Sequence, residues 1–190
     1  MKQCRHLLIL MFSLLYAPTL LAQVGLGIRL GGNLSNANGD GFRSAKKIGF
    51  QAGAALRVDI SKLFAVQAEP SFNIARIRAN DQTAIYPEGI QKGTKSLHYF
   101  NLPVLLKLKI TPGFALLGGV EFNSLINDDR YRLNNGAPAF RSGVRFGHSV
   151  GLELSRFYFR YRGMKRPSDV HGNWHADIEQ YQLGMKFDFF

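Results

Sequence analysis

The sequence predicts an all-β fold: an eight-stranded antiparallel up-and-down transmembrane β-barrel. Three observations predict it. Apolar and polar residues alternate with period two in segment after segment. No stretch beyond the N-terminal apolar run carries a helical period. Short and long connections alternate strictly between the segments.

The elements follow in order. Lys2, Arg5 and His6 precede an apolar run of about ten residues ending near Tyr16, and Ala22 follows Pro18. This is the pattern of an export signal cleaved after Ala22, although Leu20 is larger than the small residue usual three places before the cut. The run is shorter than the roughly 20 apolar residues a helix needs to span a bilayer. Residues 1–22 are read as the signal peptide and 23–190 as one barrel domain. Cys4 leaves with the signal, so the mature chain carries no disulfide framework and no thiolate chemistry. Loss of Lys2 and Arg5 lowers the formal charge from +11 to +9. For a basic exported chain, anionic headgroups or polysaccharide are the expected counter-surface, and no nucleic acid is expected.

Strands are then expected around residues 24–31, 48–58, 64–74, 100–110, 114–123, 144–154, 157–162 and 181–190, most near ten residues long. Tight turns fall at 59–62, 111–113 and around Ser155. Long polar loops fall at 34–47, 79–95, 127–143 and 163–177. The alternation makes neighbours antiparallel hairpins with all long loops at one end and both termini at the other, the plan of bacterial outer-membrane barrels, whose short turns are periplasmic.

A soluble barrel would turn its apolar face inward, and a membrane barrel turns it outward. Strand length favours the membrane, since spanning at a tilt takes roughly 9–11 residues. The composition of the polar face agrees. It is rich in Gly, Gln and Asn with isolated charges, as a narrow interior requires. Open sheet edges are excluded from hydrocarbon, so the last strand is expected to close onto residues 24–33. Its outward residues would be Tyr181, Leu183, Met185, Phe187 and Phe189, with Phe190 out of phase. Phe64, Phe114, Phe187 and Phe189 at one end, and Phe50, Phe100, Phe122, Phe146 and Tyr181 at the other, are expected to form interfacial girdles.

The segment Tyr99-Phe100-Asn101-Leu102-Pro103-Val104-Leu105-Leu106-Lys107, the run Gly118-Gly119-Val120-Glu121-Phe122 and the segment Arg160-Tyr161-Arg162-Gly163-Met164 resemble the PorT-like outer-membrane β-barrel family of Bacteroidota. In architecture the chain also resembles the small OmpX and OmpA-type barrels. The resemblance implies a Gram-negative outer-membrane location and, from PorT itself, a link to type IX secretion and gliding. The matching residues are structural, so no site residue is carried over with it.

Candidate chemistry is sparse, and no cofactor or enzymatic activity is expected. Arg29, Arg57, Glu69, Lys107, Glu121, Arg145, Glu153 and Arg160 fall on the inward face and are expected to form an ion-pair network that plugs the lumen. His148 falls on the outward face between Phe146 and Val150, where a lipid-modifying enzyme would need an acid or serine beside it; Ser149 and Glu153 point the other way. Asp169, His171, His175 and Asp177 gather near Trp174 as a candidate metal shell. Arg43, Lys46, Lys47, Arg76, Arg78, Lys165 and Arg166, with Lys92 and Lys95, flank the long-loop end, where lipid phosphate is a candidate ligand. The expected role is structural or surface interaction through four long loops, with a secretion accessory, a narrow pore or a lipid-modifying enzyme as rivals. Expected partners are outer-membrane lipid and lipopolysaccharide, the barrel-assembly machinery and, on the rival reading, secretion-system components.

Overall fold

The computed structural model describes residues 24–39, 42–43, 46–81, 83–127, 130–140, 143–170 and 174–189; for 43, 165–170 and 174–176 it describes the backbone alone. The segment read as a signal, residues 1–22, lies outside the described residues.

Among the described residues the chain forms β1 (Val24–Gly39), β2 (Phe42–Arg43), β3 (Lys47–Asp59), β4 (Phe64–Ala68), β5 (Ser71–Ala79), β6 (Gly93–Thr111), β7 (Phe114–Leu125), β8 (Val144–Leu154), β9 (Phe157–Val170) and β10 (Trp174–Asp188). They close into a barrel in which every pairing is antiparallel. The last strand closes onto the first, from Gly27 opposite Asp188 to Gly39 opposite Ala176.

Ten segments make eight staves. β4 and β5 are one stave with a break at Glu69-Pro70, and the register against β6 runs straight through it: Ala68 faces Val104 on one side and Ser71 faces Asn101 on the other. The break has a local cause. Pro70 and Pro103 meet there, and neither can donate to the ladder. The remaining groups are still used, with the Glu69 amide donating to the Pro103 carbonyl and the Ala54 amide to that of Pro70, each at 3.0 Å. β2 adds a two-residue edge piece to β5 and the end of β1.

The predicted tight turns are present. Pro112-Gly113 joins β6 to β7, and Ser155-Arg156 joins β8 to β9, with Ser155 in the left-handed region at φ 52°. The predicted long loops are shorter than expected at two places. β1 continues past Leu34 to Gly39, and the fourth loop is mostly sheet, since β9 runs to Val170 and β10 starts at Trp174. On β1 the alternation past Leu34 sets Asn38 outward and Ala37 inward, and a polar alternating run in sequence resembles a loop.

The outward row is apolar as predicted. Ile48, Phe50, Leu106, Val120, Phe146, Val150, Leu183 and Phe189 are all exposed large hydrophobics. On β3 this row covers the eleven residues from Ile48 to Val58, the length a tilted strand needs to cross hydrocarbon. Rings pair along it near the long-loop end: Phe72 with Phe100 at 5.9 Å, Phe122 with Phe146 at 5.2 Å, and Tyr161 with Tyr181 at 5.3 Å.

Candidate functional site

Inward residues build the lumen in layers. At the turn end, Asp59 is 3.1 Å from Arg57 and 3.3 Å from Lys109. One layer up, a single Glu153 carboxylate oxygen accepts from both Lys107 and Lys186 at 2.6 Å, and Arg29 reaches Asp188 at 2.8 Å. At mid-height Arg160 donates two bonds to Glu69, at 2.6 and 2.9 Å. Above it Arg162 donates to Glu121 at 2.6 Å. A last polar layer is neutral: Asn33 donates to Asn73 at 2.9 Å, Asn73 to Gln180 at 3.0 Å, and Gln180 to Ser35 at 2.9 Å.

Seven of the eight residues expected in the lumen network are thereby joined by the bonds above; the eighth, Arg145, is half-buried on β8 opposite Asn123. The sequence reading omitted Arg162, Gln51, Tyr158 and the amide layer. Arg162 carried a usable signal, because it shares its phase with Tyr158 and Arg160. Tyr158 is placed by two glycines. Gly31 and Gly184 face each other across β1 and β10. A Cβ on either would collide with the Tyr158 side chain. The ring therefore lies over bare backbone while its hydroxyl accepts from Gln51 at 2.7 Å.

Above the amide layer the hydropathy of the wall inverts. On β5 the outward row passes from Phe72 and Ile74 to Arg76 and Arg78, while the inward row passes from Asn73 to Ala75, Ile77 and Ala79. On β6 the outward residues become His98, Ser96 and Thr94, and the inward ones Tyr99 and Leu97. On β10 Glu179 replaces Tyr181 outside and Ile178 replaces Gln180 inside. Ala37, Leu125 and Met164 make the same change on β1, β7 and β9. An outward face is apolar where hydrocarbon covers it and polar where water does, so this level marks one edge of the apolar band.

The inverted end holds the one apolar core cluster found among the described residues, and the long loops fold into it. Ile90, Leu133, Ala139 and Phe140 are buried there with Phe42, Ala75, Ile77 and Leu97. Ile90 bridges Leu133 in antiparallel fashion. The Asn134 side chain donates to the carbonyls of Ala84 and Tyr86, at 2.8 and 2.9 Å. Tyr131 is tied to the Ser96 backbone at 2.8 Å. The two middle loops, expected as polar surface, are thus a packed cap. Lys95 belongs to it rather than to a phosphate-facing rim: its ammonium lies 5.2 Å from the Tyr131 ring, and burial pushes it below the usual lysine range.

The other candidates are placed as follows. His148 is exposed on the outer wall, 5.9 Å from the Tyr161 ring, and its imidazole occupies the space a Cβ on Gly163 would need. Ser149 and Glu153 are buried in the lumen, on the opposite face. For the metal candidate, the backbone register sets His175 opposite Asp169 on paired strands. The side chains of Asp169 and His175, and all of His171, lie outside the described residues, while Asp177 is exposed. No metal-holding cluster is found among the described residues. Of the basic group, Lys46 and Arg76 are exposed, Lys47 and Arg78 are half-buried, and Lys92 pairs with Asp81 at 2.9 Å. The side chains of Arg43, Lys165 and Arg166 are not among those described.

A family model described as an outer membrane protein beta-barrel domain matches residues 18–189, and the chain belongs to that family. Its place is therefore the outer membrane. Solved structures are similar to the chain at low identity. The crystal structure of Ail, the attachment invasion locus protein of Yersinia pestis, is 18% identical, with 86% of this chain and 97% of that one covered and a TM-score of 0.47. The same protein in complex with the heparin analogue sucrose octasulfate is 15% identical, with 87% and 99% covered and a TM-score of 0.49. The solid-state NMR structure of the outer membrane protein AlkL in lipid bilayers is 13% identical, with 88% and 90% covered and a TM-score of 0.40. No curated protein matches the chain.

Proposed function

We propose that this member of the outer membrane β-barrel family is a non-conducting, non-catalytic barrel that presents a folded cap at the cell surface as an interaction platform. The observation that carries the reading is the double closure of the lumen. Ion pairs from Arg29, Glu69, Lys107, Glu121, Glu153, Arg160 and Arg162 fill the middle, and the apolar cluster around Phe140 fills the end. A small barrel has room for side chains and little else, and here a buried, mutually paired set of charges takes up its middle.

The turn end and both termini are assigned to the periplasm, following the short-turn, long-loop plan of such barrels. On that orientation β10, which closes onto β1 by backbone pairing, is the segment an outer-membrane assembly machine would engage. Planar-bilayer recordings test the central reading. The expected result is no steady conductance; a large, steady conductance overturns it.

The segment from Tyr99 to Lys107, with Pro103 at the β4–β5 break, supports a second reading by its resemblance to PorT-like barrels: an accessory role in secretion or gliding. Deletion in the native host, followed by assay of secreted protein, tests it, and undisturbed secretion removes it.

A further inference from the structure

The geometry points to a specific acyl-chain site on the outer wall of the barrel, taking one chain of a phosphorylated glycolipid whose phosphate sits against Lys46. The site is an apolar groove of about 490 Å³ crossing β3, β1, β10 and β9 near the cap end of the apolar band. Leu34 and Ile48 line one side, and Phe159, Tyr181 and Leu183 the other, with Gly32 at the floor.

Gly32 makes the groove. It stands in the outward row of β1 between Leu30 and Leu34, directly flanked by Phe50 on β3 and Leu183 on β10. Every one of these neighbours is a large, exposed hydrophobic. A Cβ there would meet no atom closer than the Gly49 carbonyl oxygen at 3.8 Å. Gly31, Gly49, Gly53 and Gly184 are different, since a Cβ on any of them would strike backbone or a side chain. Backbone packing therefore does not require glycine at 32, and the missing side chain leaves a slot one residue wide between Leu30, Leu34, Phe50 and Leu183.

The occupant follows from the surroundings. Backbone donors and acceptors of β1 are spent in ladders on both sides, to β3 and to β10, so the groove has nothing to offer a strand. Its walls are aliphatic and aromatic, which suits a hydrocarbon chain. A cation roofs its mouth. Lys46 is exposed at the head of β3, yet its Nζ lies 5.1 Å from the ring centroid of Tyr181 on β10, so the side chain reaches across β1 above Leu34. An ammonium held on a ring face keeps its N–H donors for an anion above it. Apolar slot and phosphate-facing cation together match one chain and one headgroup phosphate. The choice of the outer-leaflet glycolipid over a phospholipid rests on the proposed orientation, with the cap outside.

Native mass spectrometry of the barrel released from micelles, with bis-phosphorylated lipid A as probe, tests the site. The intact barrel is expected to retain one lipid A. Gly32→Phe, which fills the slot without meeting backbone, is expected to lower retention roughly tenfold while the heat-modifiable gel shift stays normal. Lys46→Gln is expected to abolish the preference for bis-phosphorylated over dephosphorylated lipid A. Retention unchanged in Gly32→Phe overturns the groove, and equal retention of phosphatidylglycerol overturns the glycolipid assignment. Labelling of a Glu88→Cys variant in intact cells by a membrane-impermeant maleimide reports the orientation independently: a protected cysteine refutes the outward cap, whatever the lipid result.

Discussion

Arg160 grips Glu69 with both terminal guanidinium nitrogens, at 2.6 and 2.9 Å, across the lumen from near the start of β9 to the proline break between β4 and β5. Both side chains are almost wholly buried. The ion pair thus cross-ties the stave that the proline break divides. Leaving either charge alone in that interior costs about 3–5 kcal/mol, whereas replacing both by apolar groups of similar size is close to neutral. Glu69→Gln is therefore expected to lower unfolding stability by that amount. The double variant Glu69→Leu with Arg160→Met is expected to recover most of it. Urea titration of the barrel refolded in lipid, read by its heat-modifiable gel shift, gives both values. Additive losses would sink the cross-tie.

Tyr158 supplies a second check on the interior. Its ring covers the bare backbone of Gly31 and Gly184. Gly184→Val is expected to destabilise by about 1–3 kcal/mol, the cost of overpacking a filled core. Adding Tyr158→Ala to that variant is expected to relieve the clash and regain part of the loss. If the two changes prove merely additive in the same titration, the ring does not occupy the predicted place.

How far the sequence revealed this arrangement depended on which side of the apolar band a residue lay. Within the band, Phe50, Leu106 and Phe146 announced the outward face and Arg29, Glu69 and Lys107 the inward one, because lipid imposes one rule on every strand. Beyond the band the rule reverses. Asn73-Ile74-Ala75-Arg76-Ile77-Arg78 keeps period two but moves its apolar residues from even to odd positions. A strand followed in one phase ends at Ile74, although the shift itself is visible in the sequence. The cap was harder to foresee. Ile90, Leu133 and Phe140 are isolated hydrophobics in polar stretches, and only tertiary packing brings them together. Arg162 was legible by phase; its pairing with Glu121 rather than another acid was not.

The inversion makes its own prediction. Leu106 is exposed on the middle of β6, and Ser96 lies on the same outward row above the change of hydropathy. Leu106→Arg is expected to cost about 2–4 kcal/mol, as for a cation near the bilayer midplane, and Ser96→Arg about 0–1 kcal/mol. Unfolding titrations in liposomes measure the contrast. Equal costs would place Ser96 in hydrocarbon too and move the edge of the band above it.

On the proposed non-conducting reading, ion pairs and cap close the lumen separately, and the two closures are expected to fail independently. Phe140 is fully buried in the cap, with ring centroids 6.2 Å from Phe42 and 6.1 Å from Tyr131. Removing such a ring costs about 3–5 kcal/mol. The loops, however, join the wall through few backbone bonds, so the loss is expected to appear as local opening rather than global unfolding. In Phe140→Ala, protease should cut within residues 80–92 or 130–140 while the barrel core keeps its folded migration. Conductance should stay absent, because the layers from Asn33 down to Glu153 are untouched and still block the path. If Phe140→Ala alone produces a steady current, the polar layers do not seal the barrel, and the cap carries the whole barrier.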